Sequence, residues 1–305
     1  MVMKISLVMP SHRCNNAAIS RIMELTTLDP AKYELIVRDN SESLYKRELI
    51  THFQTSTLKY VPVSNCAPMS NASEAFKLAT GEFTFFLGDD DRLPINGIEA
   101  IYKTVEENNA DSSFGIATGT YLVESTSGSG LFAYPLLDQH DPNHRIASYL
   151  NEANAMNFIY YSATRTSTAR DIFKFVENLP YQFSYVDLLM TLLRLTQGRA
   201  LKTEQIIYHY DYSQWNSLKD SHNKDGSFYV AAGLPVEYNH LHYLFCGLEG
   251  ALILDSNWVL ERTGSDMSSA SLVWFNHMFG RFVTQERVFA YENTKANQAI
   301  LGYKK

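Results

Sequence analysis

Three acidic residues in a row, Asp89-Asp90-Asp91, stand directly after the dense apolar run of residues 83–87. Adjacent carboxylates at the end of a buried strand repel one another, and a nearby cation relieves that repulsion. A hard divalent ion, Mg²⁺ or Mn²⁺, that also ligates diphosphate oxygens would neutralise both partners. The competing account is a solvated acidic turn with Asp91 capping the next helix. The run is not an EF-hand loop, because the glycine and final glutamate fall at the wrong spacing. Two more polar clusters close strand-like runs, Pro10-Ser11-His12-Arg13 and Asp39-Asn40-Ser41. Ligands of open parallel sheets bind beyond the carboxyl ends of the strands, so three such ends predict one shared ligand site. Asp39-Asn40-Ser41 equally suits an Asx turn. His12 and His209 suit either ligands or ordinary polar positions, and Ser184-x-x-Asp187 before an apolar run matches a capping box.

The elements that must position these residues alternate along the first half, which predicts an α/β domain with a mostly parallel, Rossmann-like sheet and flanking helices. Strands are expected at 5–9, 33–37, 58–63, 83–87 and 114–123, and helices at 16–25, 71–79 and 97–107. A mobile loop is expected from Glu124 to Asn143, which is Ser/Gly-rich and poor in apolar anchors. Asn157–Ser162 reads as a strand, Tyr185–Leu195 as a buried helix and Ala200–Tyr210 as an extended segment. Residues 1–212 then form the catalytic domain and 213–305 a helical C-terminal extension that supplies acceptor contacts or an oligomer interface.

Composition narrows the partners. The 305 residues carry 45% hydrophobic side chains and a net charge of −7, without the basic face of a nucleic-acid binder. An anionic ligand would therefore need a metal ion or local cations. Cys14, Cys66 and Cys246 have neither metal-ligand nor disulfide-framework spacing, which suits a reducing cytoplasm. The N-terminus lacks the features of a signal peptide, and the apolar stretch of residues 242–254 is too short to span a bilayer. A cytoplasmic protein is expected, with peripheral contact at the inner membrane face and self-association left open.

Lys4–Ser11, Glu34–Ser41 and Ala79–Asp91 together resemble, in order and spacing, the family 2 glycosyltransferases, over about residues 1–210. The resemblance implies the GT-A fold and an inverting transfer from a nucleotide diphosphate sugar, a UDP-sugar, to a saccharide or lipid-linked acceptor, as in surface polysaccharide synthesis. It assigns Pro10, Ser11, His12, Asp39, Asn40, Asp89 and Asp90 to the donor, with Asp39 on the nucleobase and Asp89 on the ribose side. Asp90 and Asp91, with His209 as a further candidate, would hold Mn²⁺ or Mg²⁺. Asp187 is the general base, with His209 as the fallback. The sequence departs from the family pattern at Gly88, which takes the place of the first Asp of the Asp-x-Asp motif. It departs also at Arg38, at Ala72-Ser73-Glu74-Ala75 and at Ser184-Tyr185, where a Glu-Asp pair is usual. A nucleotidyltransferase and a non-catalytic carbohydrate-binding protein are the alternatives; the first normally shows a glycine-rich loop that Pro10-Ser11-His12-Arg13 lacks.

Overall fold

The computed structural model describes residues 3–53, 55–125, 128–179, 185–211, 230 and 235–302, with side chains to Glu286 except at 236–238. Its centre is an eight-stranded sheet in the order β3 (Leu58–Pro62), β2 (Tyr33–Asp39), β1 (Ile5–Ser11), β4 (Phe83–Phe86), β7 (Ala163–Arg165), β5 (Phe114–Ser125), β6 (Gly128–Ala133), with β8 (Arg199–Asp211) also paired to β5. Strand β1 (Ile5–Ser11) lies parallel to β2 (Tyr33–Asp39) and β4 (Phe83–Phe86), and β2 lies parallel to β3 (Leu58–Pro62). Most residues of β1, β2 and β4 are buried, as strands covered on both faces by helices must be. The parallel register runs Ile5↔Tyr33 through Ser11↔Asp39, and Leu87 N–H still bonds to the Val8 carbonyl. Three carboxyl ends therefore meet at one edge, and the three polar clusters meet with them.

Helices cover the sheet for reasons visible in their spacing. In α1 (Asn16–Leu25), Ala18, Ile19, Ile22 and Leu25 form one buried face, and the Asn15 side chain accepts the Ala18 N–H at 2.9 Å as the N-cap. Helices α2 (Leu44–His52), α3 (Pro68–Lys77) and α4 (Ile95–Asn108) follow. Short β7 (Ala163–Arg165) runs antiparallel between β4 and β5 (Phe114–Ser125), and β8 (Arg199–Asp211) is parallel to β5. This is the expected α/β architecture.

Two local expectations are corrected. The segment from Glu124 is a loop only in part: β5 continues to Ser125 and returns as β6 (Gly128–Ala133) in an antiparallel hairpin, and among its described residues only 134–141 lie outside named strands and helices. Gly128, at φ 136°, supplies the turn, and Phe132 anchors the return strand against Tyr134 and Phe158. Helix α5 (Pro142–Glu152) then begins where the polar run was expected to continue. The run Asn157–Tyr161 is a 3₁₀ turn rather than a strand, because its carbonyls are taken by side chains of a neighbouring helix instead of a β ladder.

Helices α6 (Thr166–Val176) and α7 (Val186–Gln197) complete the first part of the chain. The C-terminal part is helical as expected, with α8 (His242–Leu254), α9 (Asn257–Thr263) and α10 (Ser268–Gly302). Trp274 of α10 is fully buried, and its indole N–H donates to the Cys246 carbonyl of α8 at 3.1 Å. That close approach requires Gly250, where a Cβ would lie 2.1 Å from the indole nitrogen. Among the described residues no helix is long and apolar enough to cross a membrane.

Candidate active site

The first strand end is fastened to the acidic run by Asp89. Its carboxylate accepts the Ser11 hydroxyl at 2.8 Å and the His12 and Arg13 backbone N–H groups at 2.9 and 2.8 Å. Arg13 Nε adds a contact at 3.3 Å, and Arg21 holds the Asp89 carbonyl at 3.0 Å. Burial pushes this carboxyl up, but the N–H and hydroxyl donors outweigh it and leave the pKa below the usual carboxylate value. Asp89 is 2% exposed and turned toward β1, so it clamps the two strand ends.

A buried ammonium fastens the second end. Lys46, fully buried on α2, reaches the Ser11 hydroxyl and the Arg13 carbonyl at 2.7 Å each, and Asp39 Oδ1 at 2.9 Å. Its three N–H donors thus have three acceptors. Asp39 Oδ1 also accepts the Ser41 N–H at 3.0 Å, so the Asx turn is present, and Oδ2 accepts the Tyr60 hydroxyl at 2.5 Å. Neighbouring Asn40 donates to the Cys66 carbonyl at 2.9 Å, while its Oδ1 is buried without a partner. Pro10 pairs with Arg38 across the strands. The His12 side chain is 68% exposed, with Nδ1 3.9 Å from Asp89.

Asp90 and Asp91 differ from Asp89. Asp90 is partly exposed and pairs with Arg13 at 2.5 Å. Asp91 is buried, accepting the Tyr208 hydroxyl at 2.9 Å and the Asp211 N–H at 3.3 Å. Burial, then the Asp90 charge, pushes Asp91 up to about 7. Helix α4 has Pro94 at its N-cap and no side-chain cap, so Asp91 does not serve as that cap. An ideal Cβ at Gly88 would sit 2.7 Å from Asp90 Oδ1 and 2.9 Å from Asp91 Oδ2. Both oxygens therefore pack over Gly88, and any larger residue there would push the two carboxylates apart. Two carboxylates so placed fit a hard divalent cation. Among the described residues no three His, Cys, Asp or Glu converge as a full ligand set.

His209 does not join this pair. Tyr208 and Tyr210 both pack on Tyr161, with centroids 4.6 and 5.7 Å away. Strand alternation then puts His209 on the opposite face of β8 from the hydroxyl that reaches Asp91. Its backbone exchanges two hydrogen bonds with Arg92 instead.

Asp187 lies in the first turn of α7. The helix has Tyr185 at its N-cap without a side-chain cap bond, and Ser184 lies outside the described residues. The carboxylate accepts the Leu188 N–H at 2.8 Å and the Asn157 side-chain amide, and burial pushes its pKa up. The Tyr161 ring packs on Tyr208, whose hydroxyl donates to Asp91. Sequence reasoning missed Lys46, Tyr60, Tyr208 and Asn157. None of the four carried a sequence signal; Lys46 stands beside Arg47 in a stretch of mixed charge.

Residues 6–173, more than half of the chain, match the family model described as Glycosyl transferase family 2. A relative from Escherichia coli, UDP-Glc:alpha-D-GlcNAc-diphosphoundecaprenol beta-1,3-glucosyltransferase WfgD, is 26% identical over 132 residues. That match covers 43% of this chain and 51% of the relative, so the chain spans about half the length of the curated relative it matches. The crystal structure of S. aureus TarS 1-349 in complex with UDP-GlcNAc superposes with a TM-score of 0.51 at 15% identity, covering 94% of this chain and 83% of that one. The S. aureus TarS 1-349 crystal structure gives 0.50 at 14% identity, covering 95% and 92%. These likenesses show the shared GT-A fold. Since the matched stretch runs from β1 into α6 and contains every strand end described above, the chain belongs to glycosyl transferase family 2.

Proposed function

We propose that the protein is a metal-dependent, inverting glycosyltransferase that moves a sugar from a UDP-sugar to a hydroxyl of a saccharide or lipid-linked acceptor. The observation that carries this reading is the pair of carboxylate oxygens, from Asp90 and Asp91, brought together over Gly88 at the ligand edge of the sheet. Asp90 and Asp91 would hold Mn²⁺ or Mg²⁺, with donor phosphate oxygens completing the ligand set. When bound, the metal would stabilise the charge that grows on the departing diphosphate.

The chain's own residues supply the rest. At the second strand end Asn40 Oδ1 is a buried acceptor without a partner, and Asp39 Oδ2, which accepts the Tyr60 hydroxyl, keeps a further lone pair. They suit a ring N–H of uracil, which neutral cytosine lacks at the same position. Arg13 is the cation nearest the acidic run and would meet the donor's phosphates. Asp187 would accept the proton of the acceptor hydroxyl as its oxygen attacks the anomeric carbon. The E. coli relative's name specifies a UDP-sugar donor and a diphosphate-lipid acceptor. That supports the same donor class here, and an acceptor reached at the cytoplasmic face of a membrane in polysaccharide synthesis.

Melting temperature with UDP, with and without Mn²⁺, tests the reading, since a ligand that binds only the native state stabilises it by mass action. The expected result is a metal-dependent rise in the parent that Asp90→Asn abolishes without unfolding. A variant stabilised by UDP and Mn²⁺ as strongly as the parent would sink the metal assignment.

A further inference from the structure

We propose that Asn157 is a positioning residue for Asp187: the 3₁₀ turn of residues 157–161, gripped by one face of α7, presents the Asn157 amide to the Asp187 carboxylate and holds it ready to accept a proton. This rests on the reading of Asp187 as the general base.

The grip is built from three residues of α7 at i, i+4 and i+7, which share a helix face. Asp187 receives the Asn157 amide on Oδ2, and Thr191 donates its hydroxyl to the Asn157 carbonyl at 3.3 Å. Arg194 donates to the Ile159 and Tyr160 carbonyls at 2.8 and 2.6 Å. From the other side, Tyr134 accepts the Ile159 N–H at 3.0 Å. Arg194 is 1% exposed, and its Nε and second terminal nitrogen have no partner. Burying a guanidinium without a carboxylate is costly, and what this one holds is the turn. Its plane faces the Tyr160 ring at 5.5 Å, so the turn is fixed by both carbonyl and aromatic contacts.

The groups packed around Asp187 leave Asn157 a distinct task. Tyr149 of α5, Tyr160 and Tyr161 of the turn, and Cys246 of α8 all feel the Asp187 charge, and burial chiefly keeps them protonated. On α8, the Glu249 carboxylate accepts the Tyr185 hydroxyl at 2.5 Å, and burial with the Arg281 charge pushes His242 down to about 4. Arg281 of α10 acts on Tyr149, His242 and Cys246. Among the described residues no cation offsets the burial of Asp187; the Leu188 N–H, the Asn157 amide and its own N–H do. An amide can donate to the carboxylate but neither gains nor loses a proton near neutral pH. It therefore favours the ionised base without competing for the acceptor's proton, and it leaves lone pairs of the carboxylate for the incoming hydroxyl.

The test uses the full chain with carboxyl-¹³C aspartate, where the Asp187 signal is the one missing in Asp187→Asn. Its titration is followed beside the pH profile of UDP release from UDP-glucose with Mn²⁺ and no acceptor. In Asn157→Leu the Asp187 midpoint is expected to rise by about one to two pH units, the worth of one hydrogen bond to a charged group. The acid limb of kcat/KM should rise with it. Asn157→Asp, close to isosteric, gives the same measurement if the leucine variant does not fold, and should raise the midpoint further through like-charge repulsion. A midpoint unchanged in both variants, with only the melting temperature lowered, overturns the role of Asn157 and leaves Asp187 as base intact. A midpoint that moves while the acid limb stays still overturns the reading of Asp187, and the proposal with it.

Discussion

Lys46 ties the site together more than any acidic residue does. Its ammonium is fully buried yet meets the Asp39 carboxylate, the Ser11 hydroxyl and the Arg13 carbonyl. Through Ser11 it is linked to Asp89, and so to both carboxyl ends that flank β1. Removing one partner of a buried ion pair leaves an uncompensated charge, and Lys46→Met should cost about 3–5 kcal/mol of stability. Urea unfolding of parent and variant measures this; a loss under about 1 kcal/mol would show that Asp39 is satisfied without the ammonium. Asp89 and Asp91 show at the same scale how neighbours diverge. The first is held by N–H donors and kept ionised, while the second is buried beside Asp90 and pushed up to about 7.

The elements explain which side chains reach the edge. Because β1, β2 and β4 are parallel and in register, their ends must coincide, and whatever follows each strand shares one rim. The β5–β6 hairpin is the element whose nature differs most from expectation. Its turn is polar and its outer strand exposed, yet the ladder from Thr120↔Ala133 to Ser125↔Gly128 is complete, and Phe132 packs on Phe158 of the 3₁₀ turn. Amide hydrogen exchange on the ligand-free protein should therefore find the ladder amides of β6 near Phe132 slowed by about two orders of magnitude or more against a free peptide. Exchange there at the free-peptide rate would restore the mobile loop.

Across the whole molecule, the C-terminal helices share the core of the sheet domain: Cys246, Ile253, Val259, Trp274 and Met278 belong to the same buried cluster as the strands. The Tyr185 hydroxyl bonds to Glu249 of α8, and the Arg281 guanidinium of α10 bonds to the Asn154 carbonyl. The segment at the start of α7, which carries Asp187, is thus braced from the C-terminal side. Gly250→Val would drive a side chain into the Trp274 indole and break its bond to the Cys246 carbonyl. Overpacking of this kind costs about 1–3 kcal/mol, and the lost hydrogen bond adds to it. A lowered melting temperature, with metal-dependent UDP binding retained in the cold, is the expected outcome. An unchanged melting temperature would mean that α8 and α10 can separate at little cost.

The sequence by itself determined where polar side chains follow buried strands. An apolar run closed by Asp, Asn or Ser is a local signal, and alternation with helical spacing is enough to imply parallel pairing and a shared edge. It also exposed the departure at Gly88, though not its cause. Only the tertiary structure decided what each carboxylate does. The partners that set the fates of Asp39, Asp89 and Asp91 include Tyr60, Arg13 and Tyr208, which lie 21, 76 and 117 positions away along the chain. No window on the sequence spans such distances. The same holds for the run at 157–161, whose apolar residues suit a strand or a buried turn equally. Its conformation follows from Thr191 and Arg194, two side chains of another helix that claim its carbonyls. For His209 the deciding fact is which face of β8 lies against Tyr161. Strand periodicity separates the two faces of a strand but cannot say which one meets the site until the sheet is assembled.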